Sequence, residues 1–142
     1  MIRTICALAG IAIGVTAVAA QGDAIAERKK LMKQNSQHTK AISAMAKGEA
    51  PFDAKAVTAA FTQWSATAAA LPKLFPDNSK SGDTRALPKI WEDKKGFDGQ
   101  IAAFAKAAAA RPTDVEGLKK AFPAVSKACG DCHEGYRAAA KK

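Results

Sequence analysis

The chain has 142 residues and carries 22 lysines and arginines against 13 aspartates and glutamates, a formal net charge of +9. This length supports one domain with a modest core and argues against a multidomain protein. The lysines are spread along the chain rather than clustered, so most of them are expected to solvate helix faces instead of forming a dedicated binding patch.

The N-terminus has the pattern of a secretory signal peptide. Arg3 gives a positive start, residues 5–15 are apolar, and the small residues "AVAA" precede a cleavage site near Ala19 or Ala20. The apolar run is too short to span a bilayer. We therefore predict a leader at residues 1–20, a domain at residues 21–142, export to a bacterial periplasm and no membrane insertion. A periplasmic location also argues against a nucleic-acid partner.

The rest of the sequence predicts helix, because it is rich in Ala, Lys, Leu and Glu and shows no alternation of apolar and polar residues. A first helix is predicted over residues 24–47, with Gly48 placed to end it. A second helix begins after Asp53, which is a good N-cap. Its apolar residues recur every three or four positions and mark one buried face: Val57, Phe61, Trp64, Ala68 and Leu71.

A loop rich in Pro, Gly, Ser and Asp is predicted over residues 76–88, and a third helix begins near Ile90. Thr113 and Glu116 have the spacing of a capping box that starts a fourth helix. Pro123 lies inside that helix and is expected to kink it or to distort one turn. Its apolar stripe has the same three-and-four spacing: Val115, Leu118, Phe122, Val125, Cys129, Cys132 and Tyr136. Four amphipathic helices predict an all-α, antiparallel four-helix bundle whose centre can house a cofactor.

The stripe of the fourth helix brings two cysteines onto the face that should point inward, with His133 at its edge. Because Cys6 leaves with the leader, Cys129 and Cys132 are the cysteines of the exported chain. A thioredoxin-like dithiol belongs at a helix start that follows a strand, which this all-helical pattern does not offer. A structural zinc site needs four ligands, and this segment supplies three, with His38 as the only other histidine.

A disulfide remains a serious alternative in an oxidising compartment. It would close a very short loop, stabilise the fold only slightly, and leave the adjacent histidine unexplained. Covalent haem attachment uses all three residues, since C-x-x-C-H is its signature. Cys129 and Cys132 would form thioethers with the two vinyl groups of one haem c, and His133 would ligate the iron from one side.

Three stretches resemble the class II c-type cytochromes, the cytochrome c-prime family. They are "KGEAPFDAKAV" (residues 47–57), "LFPDNSKSGDTRALPKIW" (residues 74–91) and "ACGDCHEGYR" (residues 128–137). The last is the most specific, with Arg137 four residues after His133. The resemblance implies a four-helix bundle that carries its haem near the C-terminus.

The family divides by what faces the other side of the iron. An apolar residue of the first helix blocks that side in the high-spin branch, whereas a methionine of the same helix binds the iron in the low-spin branch. The resemblance aligns Arg28 in "AERKKLMKQN" with the family's first-helix arginine and makes Met32 the distal ligand. Core filling is the alternative role for this methionine. Met45 is too far along the helix to share the site, and His38 lies on a different face.

The resemblance further implies that Arg28 can contact a haem propionate and that Arg137 lies on the proximal side. Either residue could instead be an ordinary surface arginine. The predicted function is a one-electron carrier and not an enzyme, with gas binding at an open distal site as the alternative. We expect redox partners with acidic surfaces, and the resemblance implies that a homodimer is possible.

Overall fold

The computed structural model describes residues 14–140, with side chains from residue 24 onward. Residues 1–13 and the cleavage-site side chains lie outside what is described, so the leader stays a prediction. Within the described residues, none of the helices combines the length and apolar character that crossing a membrane requires.

Five α-helices follow one another in the described part of the chain. They are α1 (Gly14–Lys47), α2 (Ala54–Ala70), α3 (Lys89–Glu92), α4 (Lys94–Ala108) and α5 (Val115–Tyr136). The four long helices form the bundle: α1 packs against α2 and α5, and α4 packs against the same two. Short connections join α1 to α2 and α4 to α5, as expected for antiparallel neighbours. The predicted four-helix bundle is confirmed.

Local sequence signals correctly predict where α1 ends and where α2 begins. Gly48 has a φ of 78°, a left-handed conformation that a glycine adopts without strain and that ends α1. Asp53 is extended and accepts hydrogen bonds from the backbone amides of Lys55 and Ala56, at 2.8 and 3.1 Å. These bonds satisfy amides that the first turn of α2 leaves without helical partners. The first helix, however, begins at Gly14 rather than at residue 24.

The predicted capping box at the start of the fourth helix is wrong. Asp114, not Thr113, is the N-cap of α5, and its carboxylate accepts the Gly117 amide at 2.7 Å. The box fails because the helix begins one residue later than predicted, so Glu116 does not stand at the position from which it could reach back. The helix continues through Pro123.

The predicted third helix consists of two pieces. The one-turn helix α3 is followed by Asp93, whose φ of −116° and ψ of 59° are not helical. Asp93 therefore separates α3 from α4, which begins at the next residue. The Asp93 carboxylate accepts the Gly96 amide at 3.0 Å and the Tyr136 hydroxyl at 2.7 Å. Thus the Asp93 side chain caps the start of α4 and links it to the last turn of α5. Because the Tyr136 hydroxyl donates its proton to the Asp93 carboxylate, the pKa of Tyr136 is raised to about 12.

The predicted apolar face of the second helix is confirmed, because all five of its residues are buried. On α5 the outcome is mixed. Leu118, Val125 and Tyr136 are buried, whereas Cys129 and Cys132 are half-buried and pack against the edge of the core. The cysteines thus lie at the edge of the core rather than inside it.

Gly96 provides a test of the contact between α4 and α5. A methyl group there would collide with the Asp93 carboxylate and the Tyr136 hydroxyl, whereas nothing lies within 4 Å of a methyl group at Gly99 on the same helix. We expect Gly96→Ala to lower the free energy of unfolding by about 1–3 kcal/mol through overpacking. Gly99→Ala should raise it by about 0.5–1 kcal/mol, because alanine favours helix. Denaturant unfolding of the holoprotein measures both, and equal effects would contradict the assigned role of Gly96.

Candidate functional site

The C-x-x-C-H segment lies in the last turns of α5. Cys129, Cys132 and His133 are three and four residues apart, so they share one helix face, and each is half-buried. Cys129 and Cys132 do not form a disulfide bond. Burial raises the pKa of each thiol, and the neighbouring Cys132 raises the pKa of Cys129 further. The segment therefore presents two protonated thiols and an imidazole along one line of the helix.

His133 is kept neutral by its surroundings. Burial is the main cause that lowers its pKa, and the positive charges of Arg137 and Arg85 lower it further. A neutral imidazole has a free nitrogen lone pair, which is the form that binds a metal. The electrostatics around His133 thus favour the protonation state that an iron ligand requires.

A cavity of about 580 Å³ opens beside this segment, between α1, α4 and α5. Its walls include Leu71, Ile101 and Phe104 on the apolar side, with Cys129, Cys132 and His133 along α5. Basic residues stand at its edge, namely Lys40, Lys47 and Arg137. The exposed Glu49 lines the same cavity, so the larger cavity has an apolar interior and a rim with three basic residues and one acidic residue.

A second cavity of about 350 Å³ adjoins the first, between α1, α5 and the segment that connects α2 to α4. Both cavities are lined by the same five residues: Met32, Leu71, Cys132, His133 and Arg137. Met32 comes from α1, Leu71 from the turn after α2, and the other three from the end of α5 and the residue after it, so the two spaces meet between α1 and the end of α5.

These residues fit a haem c. The group needs two thiols at its edge, an imidazole on one face and an apolar slot for its ring, and the joined cavities offer all three. Within the described residues, no group of three or more His, Cys, Asp or Glu side chains stands together as a metal site. The sulfur and imidazole donors at the cavities are Cys129, Cys132, Met32 and His133, and Glu49 is a carboxylate on the wall of the larger cavity.

The methionines and the second histidine separate as the sequence predicts. Met32 is half-buried and lines both cavities. Met45 belongs to the buried core cluster, and His38 is half-exposed and lines neither cavity. Of these three residues, Met32 alone can face His133 across the cavities.

Arg28 is buried, with 6% of its surface exposed, and lies one turn before Met32 on the wall of the second cavity. Its guanidinium donates to the carbonyls of Leu74 and Ser79 and to the hydroxyls of Ser79 and Thr84, at 2.9–3.3 Å. The propionate contact remains a prediction. The sequence did not predict these hydrogen-bond partners, because nothing in the polar loop indicates that Ser79 is buried.

A second polar contact lies one helical turn after Met32. Asn35 is buried on the wall of the larger cavity, and its side-chain oxygen accepts a 3.1 Å hydrogen bond from the Thr67 hydroxyl. Thr67 is itself fully buried on α2 and accepts from Gln63. The contact couples α1 to α2 next to Met32, and helical spacing alone did not predict it.

Comparison with known proteins agrees with this site. The family model described as Cytochrome C' matches residues 23–137. Cytochrome c-556 of Rhodopseudomonas palustris is 42% identical over 145 residues, covering 96% of this chain and 97% of the relative. Cytochrome c' of the same organism is 43% identical over 139 residues, covering 94% of this chain and 95% of the relative.

The solved structure of cytochrome c' from Rhodopseudomonas palustris superposes with a TM-score of 0.78 at 45% identity, covering 84% of this chain and 98% of that one. The bundle, the C-x-x-C-H segment on its last helix and these matches agree. The chain belongs to the cytochrome c' family, the class II c-type cytochromes, whose members bind one covalent haem c.

Proposed function

We propose that this protein is a one-electron carrier whose haem is attached through Cys129 and Cys132 and ligated by His133 and Met32. The observation that carries the proposal is that Met32 on α1 and His133 on α5 line both adjoining cavities. Bound there, the haem supplies a one-electron ferric/ferrous couple. A methionine ligand would favour the reduced state.

The chain's own residues would perform three tasks. The buried side chains of Leu71, Ile101 and Phe104 exclude water from the cavity interior. His133 offers a neutral nitrogen, and Met32 a sulfur, so the iron would keep the same ligands in both oxidation states. An unchanged ligand set means that little has to reorganise when an electron is transferred.

Gas binding is the second candidate function. It is favoured by the alternative role of Met32 as an apolar wall residue of both cavities, since a thioether can pack without binding a metal. It is also favoured by the similarity to relatives of both names, 42% to a cytochrome c-556 and 43% to a cytochrome c'. In this case Met32 would line the distal space without binding the iron.

The cellular setting follows from the leader. We propose cleavage near Ala20 and export to the periplasm, where the chain would meet acidic redox proteins. Lys40 and Lys47 stand at the rim of the larger cavity and supply positive charge next to the haem edge. Such charges steer an anionic partner toward the site.

Met32 is tested by substitution in the holoprotein. We expect Met32→Ala to retain the haem, since attachment is on α5, and to convert the iron to a high-spin state that binds carbon monoxide readily. Optical spectra of the ferric and ferrous protein, with and without carbon monoxide, measure this. The matched control is Met45→Leu, which changes a core methionine and should leave the native low-spin spectrum intact.

A native protein that is already high-spin and binds carbon monoxide would refute Met32 ligation and make gas binding the leading function. A low-spin native spectrum that survives in Met32→Ala would instead mean that another residue is the ligand.

Attachment is tested at the cysteines. We expect the double substitution of Cys129 and Cys132 by alanine to abolish covalent attachment, because no thiol then remains on α5 to form a thioether. The mass of the denatured chain measures it directly. Asp131→Ala, which lies between the two cysteines and breaks only an exposed pair with Lys127, is the control and should keep the haem mass. Haem still attached in the double variant would show that the assignment is wrong.

Steering is tested with small electron donors. Photoreduced flavin mononucleotide is anionic, and lumiflavin is uncharged. We expect Lys40→Glu to slow reduction by the anionic flavin severalfold at low ionic strength, less so at high salt, and to leave lumiflavin rates unchanged. Lys106→Glu, an equal charge change on α4 away from both cavities, should have a smaller effect. Equal effects of the two substitutions would argue against steering at the cavity rim.

A further inference from the structure

The connection between α2 and α3 forms a wall of the second cavity. Residues 74–87 of this connection are here called the strap. Phe75, Thr84, Arg85 and Ala86 of the strap line the cavity opposite α1 and α5. The strap has almost no regular structure, apart from the single turn Asp77–Ser79. What holds it in place is therefore a question of specific contacts.

Arg28 of α1 holds the first part of the strap. Its guanidinium makes four hydrogen bonds to Leu74, Ser79 and Thr84, two of them to backbone carbonyls. The same group lies over the Phe75 ring, 4.6 Å from its centre. Ser79 is fully buried, and its hydroxyl also donates to the Pro76 carbonyl at 2.8 Å.

These contacts suit a buried charge. Burial lowers the pKa of Arg28, and the planar fork of a guanidinium can satisfy several acceptors at once. Hydrogen bonds from a charged donor are about twice as strong as neutral ones. The acceptors are separated from Arg28 by 46–56 positions in the sequence, so the contacts tie a distant loop to α1.

The other end of the strap is held by α5. The Leu87 amide donates to the Tyr136 carbonyl at 3.0 Å, and the Ala138 amide donates to the Arg85 carbonyl at 2.8 Å. The Arg85 guanidinium also donates twice to the Ala138 carbonyl, at 2.7 and 3.0 Å. The strap therefore bridges α1, which carries Met32, and the end of α5, which carries the C-x-x-C-H segment.

We propose that Arg28 is a positioning residue that holds the strap as the wall of the second cavity and thereby sets how far water reaches the haem, and so its reduction potential. Water stabilises the more highly charged ferric form, and burial of the haem edge therefore raises the potential. The proposal rests on haem attachment at α5 as proposed above. It does not require Met32 to be the ligand.

The test compares variants of the holoprotein by two measurements, amide hydrogen exchange of the strap and the reduction potential. We expect Arg28→Gln to accelerate exchange at Ser79 and Thr84 by about tenfold or more, because the loss of charge-assisted hydrogen bonds lets the strap open. The potential should fall. Ser79→Ala removes one acceptor and leaves the arginine charge in place, and it should shift both measurements in the same direction by a smaller amount.

Two control variants separate the effect of strap position on the reduction potential from the direct effect of the Arg28 charge. Lys29→Gln removes one positive charge from the same helix and breaks the exposed pair with Asp83 on the same strap. It should leave exchange at Ser79 unchanged and shift the potential less than Arg28→Gln does. Arg28→Lys keeps the charge but loses the fork, and we expect it to restore the potential only in part.

Unchanged strap exchange in both Arg28→Gln and Ser79→Ala would overturn the proposal. Full recovery of the native potential in Arg28→Lys would also overturn it. So would a potential that falls in Arg28→Gln but does not change in Ser79→Ala. Either result would mean that Arg28 acts on the haem by its charge alone. The Arg28 and Ser79 variants all keep Met32, so their results do not depend on whether Met32 is the ligand. The spectrum of Met32→Ala tests the distal ligand separately.

Discussion

The attachment segment on the inner face of the last helix is the constraint on which the rest of the bundle depends. A haem c attached there would need space that the other helices must leave open, and this space could not also be part of a close-packed core. The inner face of α5 accordingly has two parts. Leu118 and Val125 are packed in the core, while Cys129, Cys132 and His133 line the cavities. The half-buried state of the two cysteines follows from this division.

The same constraint explains why an irregular segment is held so firmly. Where α1 and α5 border the second cavity, the strap of residues 74–87 supplies a further part of its wall, next to Ile90 of α3 and Phe97 of α4. A loop has little intrinsic stability, so its position depends on contacts with ordered elements. Arg28 supplies them on one side and the end of α5 on the other. Burying a guanidinium would be costly if its donors were unpaired, and the loop carbonyls offset that cost.

Membership of the family accounts for the four-helix scaffold and the covalent haem c, and the two candidate functions differ in whether Met32 binds the iron. Relatives named cytochrome c-556 and cytochrome c' are similar to this chain over nearly its whole length. Because one bundle serves both kinds of protein, the reactivity of the haem lies in a few side chains around it. In this chain the side chains that line the cavity beside the C-x-x-C-H segment include Met32, Asn35 and Arg137.

The sequence by itself determined the features that depend on neighbouring residues: the helical periodicity, the ends marked by Gly48 and Asp53, and the C-x-x-C-H segment. Only the tertiary structure decided the rest. Asp93 interrupts the predicted third helix and also accepts the Tyr136 hydroxyl, 43 positions away. Arg28 has its partners 46–56 positions away. Periodicity and capping rules describe contacts within a few residues of the chain, whereas these bonds form only after packing has brought distant elements together.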